Sequence, residues 1–205
     1  MATSAPFAPR PAPPAAPVLQ VHDETDARRR AVEAFIQAVY HRRYGARITR
    51  FAPTLVALWH EGCITAAAGY RAASTGPLFL ERYLPEPVER LLATPAPPRR
   101  GIVEVGHLAA GRAGEGRRLV LMLAAHLATL DCEWVVSTLT AELRQLFVRI
   151  GVVPLTLGAA DPARLGTEAG DWGSYYDHAP VVLAGHLPRA MRHIDQYSAA
   201  TGANR

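Results

Sequence analysis

Residues 104–118 read EVGHLAAGRAGEGRR. An apolar run carries a carboxylate, Glu104, and an imidazole, His107. It is followed by Gly111, Gly114 and Gly116 set among Arg112, Arg117 and Arg118. A strand that ends in glycines and feeds a helix makes an anion site. The first N–H groups of the helix lack intrahelical partners, and the helix dipole adds positive charge at the same end. Gly114 and Gly116 let the backbone approach a phosphate without an intervening Cβ. The three arginines add planar, charged donors. The same residues also describe a solvated turn, and the pattern alone leaves both readings open. It is not a dinucleotide fingerprint, because the G-x-G-x-x-G spacing is missing. It is not a phosphate loop of the lysine type, because there is no lysine.

Glu104 is either a proton acceptor or half of a buried ion pair with an arginine, since a carboxylate in an apolar strand is costly without a partner. His107 is either a base near neutral pH or a structural histidine. On a flat strand the two side chains, three residues apart, point to opposite faces, and a bulge would change that parity. Glu81 and Arg82 interrupt the apolar block LFLERYL, where they orient a substrate or pair as ions. Thr138 and Thr140 close an apolar run and reach toward the same region. Trp172, Tyr175 and Tyr176 lie in WGSYYD, a polar, aromatic stretch suited to a substrate-facing loop.

The elements that must position these residues are legible from periodicity. Residues 18–22 read as a short strand. Asp23 is placed to cap a helix running to Arg43, with Val32, Phe35, Ile36, Val39 and Tyr40 on one face and Arg28, Arg29, Arg30, Arg42 and Arg43 on the other. Residues 54–59 and 63–72 form a hairpin around HEG. Residues 76–95 read as helix broken at two prolines. A strand over 101–109 leads through the glycine loop into a helix over 115–130. A buried strand over 132–139 follows, and then a helix capped by Thr140 and ended by Gly151. A strand over 152–157, a short helix opened by Asp161-Pro162, a strand over 180–187 and a closing helix over 188–200 complete the order. Strands and helices alternate, with one early hairpin, which predicts an α/β sandwich with a mixed sheet.

The chain has 205 residues, a length that suits one domain with a tail. Residues 1–17 are Pro/Ala-rich and read as a disordered tail, 18–200 as a single domain and 201–205 as a flexible end. All 22 basic residues are arginine, which excludes a lysine nucleophile or Schiff base. The net charge of +4 favours an acidic partner: a phosphorylated cofactor, an acidic carrier protein or an anionic lipid surface. Cys63 and Cys132 read as two buried free thiols in a reducing, cytoplasmic setting. No C-x-x-C, H-E-x-x-H or clustered His/Cys spacing is present, so no metal is expected, and no nucleic-acid partner is read. The longest apolar run, 119–130, is too short to span a bilayer.

Ile102–Leu157 resembles the core of the GNAT superfamily of acyl-coenzyme A-dependent N-acyltransferases. In that family a strand enters a pyrophosphate loop of pattern Q/R-x-x-G-x-G/A. The run from Gly111 to Gly116 matches it except at its first position. LTAELRQLFVRIGVVPL is similar to a later block of the family, with Phe147 where a tyrosine often serves as general acid and Val152 where a phenylalanine is usual. RRYGA, FAPTL, AAGYRAA, LFLERYL, IVEVGHLA, LFVRIG, ADPARL and WGSYYD, between residues 25 and 187, resemble the blocks of the thermostable hemolysin family. That family shares the GNAT-like fold and is similar to acyl-homoserine-lactone synthases.

The resemblance implies a GNAT-like three-layer α/β sandwich around a mixed, mostly antiparallel sheet. It implies an acyltransferase that moves an acyl group from a thioester, acyl-coenzyme A or acyl carrier protein, to a small-molecule amine. Leu108 and Ala109 would then hold the pantetheine arm and thioester, and Arg112, Gly114, Gly116, Arg117 and Arg118 the phosphates. Glu104 matches the Glu of the E-x-S-R-type block of the lactone synthases and is the expected base. His107 stands where that block has Arg. Tyr175 or Tyr176 would replace the missing acid, and Glu81, Arg82, Thr138, Thr140 and Trp172 would lie on the substrate side. The arginine-rich first helix would receive an acidic carrier protein. Two other readings accompany this one: an autoinducer-synthase-like enzyme using S-adenosylmethionine, and a non-catalytic, membrane-active protein that keeps the fold.

Overall fold

A computed structural model describes residues 16–202. Most of the tail read at 1–17, and residues 203–205 of the expected flexible end, lie outside the described residues. Seven strands form one sheet: β1 (Val18–His22), β2 (Thr54–His60), β3 (Cys63–Ala72), β4 (Ile102–Ala110), β5 (Trp134–Leu139), β6 (Leu155–Ala159) and β7 (Val181–His186). Their order is β1-β2-β3-β4-β5-β7-β6, and every neighbouring pair is antiparallel except β4–β5. Five helices accompany them: α1 (Arg29–Tyr44), α2 (Val88–Leu92), α3 (Glu115–Ala128), α4 (Ala141–Arg149) and α5 (Leu187–Gly202). Two 3-10 segments matter for the site, Phe79–Tyr83 and Pro162–His178.

Strand alternation divides the core. Leu55, Ala57 and Ala67 pack under α1, while Val56, Leu58, Ala66 and Ala68 pack under α3. Val32, Ile36, Val39 and Tyr40 of α1 fill the first side, as their spacing predicts. Leu119, Leu123 and Leu127 of α3 fill the second. Each such buried aliphatic side chain contributes about 1.5–3 kcal/mol. Three layers result: α1, α2 and the 3-10 segments on one face, the sheet, and α3 with α5 on the other.

Several boundaries differ from the sequence reading. α1 starts at Arg29, because Asp23 does not cap it. The Asp23 carboxylate instead accepts from the backbone N–H and the hydroxyl of Thr25, and Asp26 accepts from the Arg28 N–H, so two side-chain turns precede the helix. Arg29 leaves the solvent face. It pairs with Glu33 at 2.8 Å and donates to the carbonyls of Ala52 and Pro53. β6 begins at Leu155 rather than at 152, just past Pro154, which has no N–H for a ladder. The stretch 162–178 is a kinked 3-10 run rather than a short helix and a loop. Cys132 is buried, but Cys63 opens β3 and is exposed.

Candidate functional site

The site grows from two irregularities of β4. The first is a bulge. Ala67 pairs with Ala109 and Gly69 with Gly106, so the single residue Ala68 faces both His107 and Leu108. His107 takes up the extra residue at φ 54. Before the bulge, Val103 and Val105 pack under α3; after it, Ala109 packs under α1. The flat-strand parity therefore fails at this point. The His107 ring lies tilted against Phe51, with centroids 5.5 Å apart, and with Ala52 and Leu55 it fills the space that a Cβ on Gly69 would take. Glu104 and His107 consequently share the α1 face.

The second irregularity is a split between strands. β4 and β5 pair only from Ile102↔Trp134 to Glu104↔Val136, although both strands continue. Ser137 caps the split by donating to the Val105 carbonyl at 2.8 Å. Beyond it the β5-facing edge of β4 has no strand partner, and its backbone groups are free for a ligand. A cavity of about 370 Å³ opens at this point. Leu108, Ala109 and Ala110 form its floor, Gly116 and Val120 of α3 one wall, and Arg42, Arg43 and Tyr44 of α1 its rim. A second cavity of about 80 Å³ lies toward the α3 face, lined by Phe147, Ile150, Val152, Leu183 and Ile194 with Ser137 as its only polar side chain. Leu108 and Val120 line both cavities.

The glycine loop delivers α3 to this opening. Gly114 caps α3 at φ 85, a left-handed conformation that other residues adopt only under strain. Arg112 and Arg117 are exposed and form no ion pair among the described residues, whereas Arg118 pairs with Glu115 at 3.1 Å. Glu115 also accepts from the Thr65 hydroxyl at 3.0 Å, so a carboxylate already stands in the first turn.

Glu104 points its carboxylate at the segment Phe79–Tyr83. Oε2 accepts from the Phe79 N–H and Oε1 from the Leu80 N–H, both at 2.9 Å. Burial raises its pKa, against the two backbone bonds that lower it. It is not half of an arginine ion pair. His107 is held down to about 4 by burial, and its Nδ1 is buried without a partner. Tyr175 is buried, stacks on Tyr40 and donates to the Thr138 carbonyl at 3.2 Å. Tyr176 shares a 2.7 Å hydrogen bond with Tyr83, and burial raises the pKa of both hydroxyls. Trp172 lies against Phe79, Tyr40, Tyr175 and Tyr176. The hydroxyls of Thr138 and Thr140 are buried and unpartnered.

Glu81 and Arg82 form ion pairs. Glu81 accepts from the N–H groups of Leu78 and Val88 and pairs with Arg99, while Arg82 pairs with Glu168 at 2.8 Å. The sequence reading missed other groups. Arg42 and Arg43, read as part of a charged helix face for an acidic partner, rim the larger cavity, a placement the spacing did not give. Glu142 accepts from His178 at 2.8 Å, and that bond holds its carboxyl down to about 2. Tyr83 is in contact with Tyr176. No spacing in the sequence links Glu142 to His178 or Tyr83 to Tyr176, and only tertiary contact reveals these pairs. Among the described residues no group of three or more His, Cys, Asp or Glu is placed to hold a metal ion, and no helix is long and apolar enough to cross a membrane.

Comparison with known proteins agrees with this architecture. The profile of the thermostable hemolysin family matches residues 22–191. No curated protein matches the chain. Among solved structures, the AHL synthase LasI has a TM-score of 0.58 at 16% identity, over 84% of this chain and 90% of its own. FeeM, an N-acyl amino acid synthase from uncultured soil microbes, has a TM-score of 0.58 at 15% identity, over 87% and 96%. MesI, a CoA-dependent acyl-homoserine lactone synthase, has a TM-score of 0.55 at 14% identity, over 88% and 94%. At these identities the likeness establishes the fold alone, a GNAT-like sandwich around a mostly antiparallel sheet.

Proposed function

This chain belongs to the thermostable hemolysin family, and from that premise we propose that it is an acyltransferase carrying an acyl group from a thioester to an amine. The observation that supports this best is the split between β4 and β5, with a polar-rimmed cavity on one side and an apolar cavity on the other. A phosphopantetheine thioester has the same division. Its phosphates fit the α3 N-terminus with Arg112, Arg117, Arg42 and Arg43, where dipole and guanidinium groups favour anions. Gly114 and Gly116 keep that approach open. The pantetheine arm runs along Leu108 and Ala109, whose edge of β4 lacks a strand partner. The acyl tail enters the apolar cavity past Leu108 and Val120. Coenzyme A and the prosthetic group of an acidic carrier protein both present this arm, and the arginines of α1 suit either.

The amine approaches from the α1 face. Its nitrogen attacks the thioester carbon and the carbon–sulfur bond breaks. Glu104 takes the proton that the nitrogen loses; the Phe79 and Leu80 N–H groups hold its carboxylate in place, and burial raises its basicity. Tyr176, hydrogen-bonded to Tyr83, supplies the proton that the departing thiolate needs. Tyr175 is committed to Thr138, and with Trp172 it walls the acceptor side. His107 stays neutral at pH 7 and shapes the bulge.

Thermal unfolding with coenzyme A, acyl-coenzyme A and holo acyl carrier protein tests the donor half of this reading, alongside hydrogen exchange. The expected result is a higher melting temperature with at least one of them, and protection of residues 108–118. If none raises the melting temperature or slows exchange there, the proposal fails.

A further inference from the structure

We propose that Arg71 holds a carboxylate of the acceptor, so that the amine substrate is an amino acid; the inference rests on the acyltransferase reading above. Arg71 lies on β3 directly opposite Glu104 on β4, and directly opposite residues of a pair share one face of the sheet. Two residues along the same face is Gly69, whose missing Cβ makes room for His107. Arg71, Glu104 and His107 therefore lie together on the α1 face.

Arg71 is partly buried, and among the described residues nothing accepts from its guanidinium. Three other arginines near this face are committed. Arg29 is taken by Glu33 and two carbonyls, Arg82 by Glu168 and Arg99 by Glu81 and Glu89. Glu104 is the carboxylate nearest to Arg71 in register, yet both its oxygens accept from the backbone of Phe79 and Leu80. Among the described residues Arg71 makes neither an ion pair nor a side-chain hydrogen bond. The Arg71 charge is felt by Glu104, whose pKa burial raises and Arg71 lowers, but no acceptor among the described residues takes the guanidinium hydrogens, and such a donor is retained where a ligand completes it.

The face is also open where a ligand would lie. Gly106 sits between Glu104 and His107, and a Cβ built on it meets nothing within 4 Å. An amino acid fits these three facts. Its carboxylate takes the two-pronged guanidinium of Arg71, and its amine, two bonds away, reaches toward Glu104. Its side chain extends toward the aromatic wall of Phe79, Trp172 and Tyr176. A plain alkylamine would leave Arg71 unpaired.

The test compares matched acceptors on the full chain: phenylalanine with phenethylamine, tyrosine with tyramine, leucine with isoamylamine. Thiol release from acyl-coenzyme A is followed for wild type, Arg71→Gln and Arg71→Lys. Saturation-transfer NMR without any donor records binding of the same compounds. The expected result is that the preferred amino acid exceeds its decarboxylated partner in kcat/KM by about tenfold or more. Arg71→Gln should collapse that ratio toward one, and Arg71→Lys should restore part of it. Equal use of acid and amine by the wild type would overturn the inference, and so would an equal loss of both in Arg71→Gln. Failure of every amino acid to bind or react, while the thioester binds, would also sink it. If no thioester binds, the acyltransferase reading fails instead. Amino-acid binding that disappears in Arg71→Gln would still support the site.

Discussion

His107 occupies a left-handed conformation in the middle of a strand, which asparagine tolerates better than most residues. Its pKa is about 4 in the folded chain, against an ordinary value near 6.5. Between these values the unfolded chain binds a proton that the folded chain refuses. The contribution of His107 to stability is therefore complete above pH 6.5 and is lost as pH falls through 4. Urea unfolding across this window should show a loss of about 1–3 kcal/mol in the wild type. His107→Asn keeps the backbone conformation and should remove most of that slope. A slope unchanged in the variant would assign the loss to other groups. Glu104 illustrates what the sequence cannot show about a single residue. That a carboxylate in IVEVGHLA must be satisfied was legible; that two backbone N–H groups from residues 79 and 80 satisfy it was not.

At the scale of elements, the strand and helix signals were strong where one face is buried. The 54–72 hairpin, the helix after the glycine loop and the Gly151 helix stop all lie where periodicity put them. The bulge of β4 was not legible, because it answers to the fit of His107 against Gly69 and Phe51, residues distant in sequence. The run 162–178 was not legible either, because its shape is set by contacts rather than by an apolar repeat. Gly173 is its firmest point. It stands at φ 53, and a Cβ on it would run into the carbonyl oxygen of Tyr44. Gly173→Ala should cost about 2 kcal/mol or more through clash and strain together. Hydrogen exchange should rise over 162–178 before it rises over β2 and β3. Wild-type melting and exchange in this variant would show that Gly173 does not hold the segment; its exposed ion pairs, such as Arg47–Asp171, contribute little at a surface.

Across the whole molecule, the two cavities meet at Leu108 and Val120. A bulky side chain there should block arm and tail together without touching the acceptor side. Leu108→Trp should leave the circular dichroism spectrum unchanged. It should abolish the rise in melting temperature with the thioester while amino-acid binding persists. Loss of both kinds of binding would mean that the donor and acceptor sites are not separable in this way.

The split of the sheet has a kinetic consequence. A ladder that already ends at Glu104 and Val136 has no backbone pairs left to break when a chain lies between the strands beyond Ser137. Ser137 ties the two strands at the base of the fork through its bond to the Val105 carbonyl, as a rivet stops a split from running further. On the acyltransferase reading, entry is then resisted by the freedom the ligand gives up, not by the cohesion of the sheet, and the strands need not part again for the product to leave.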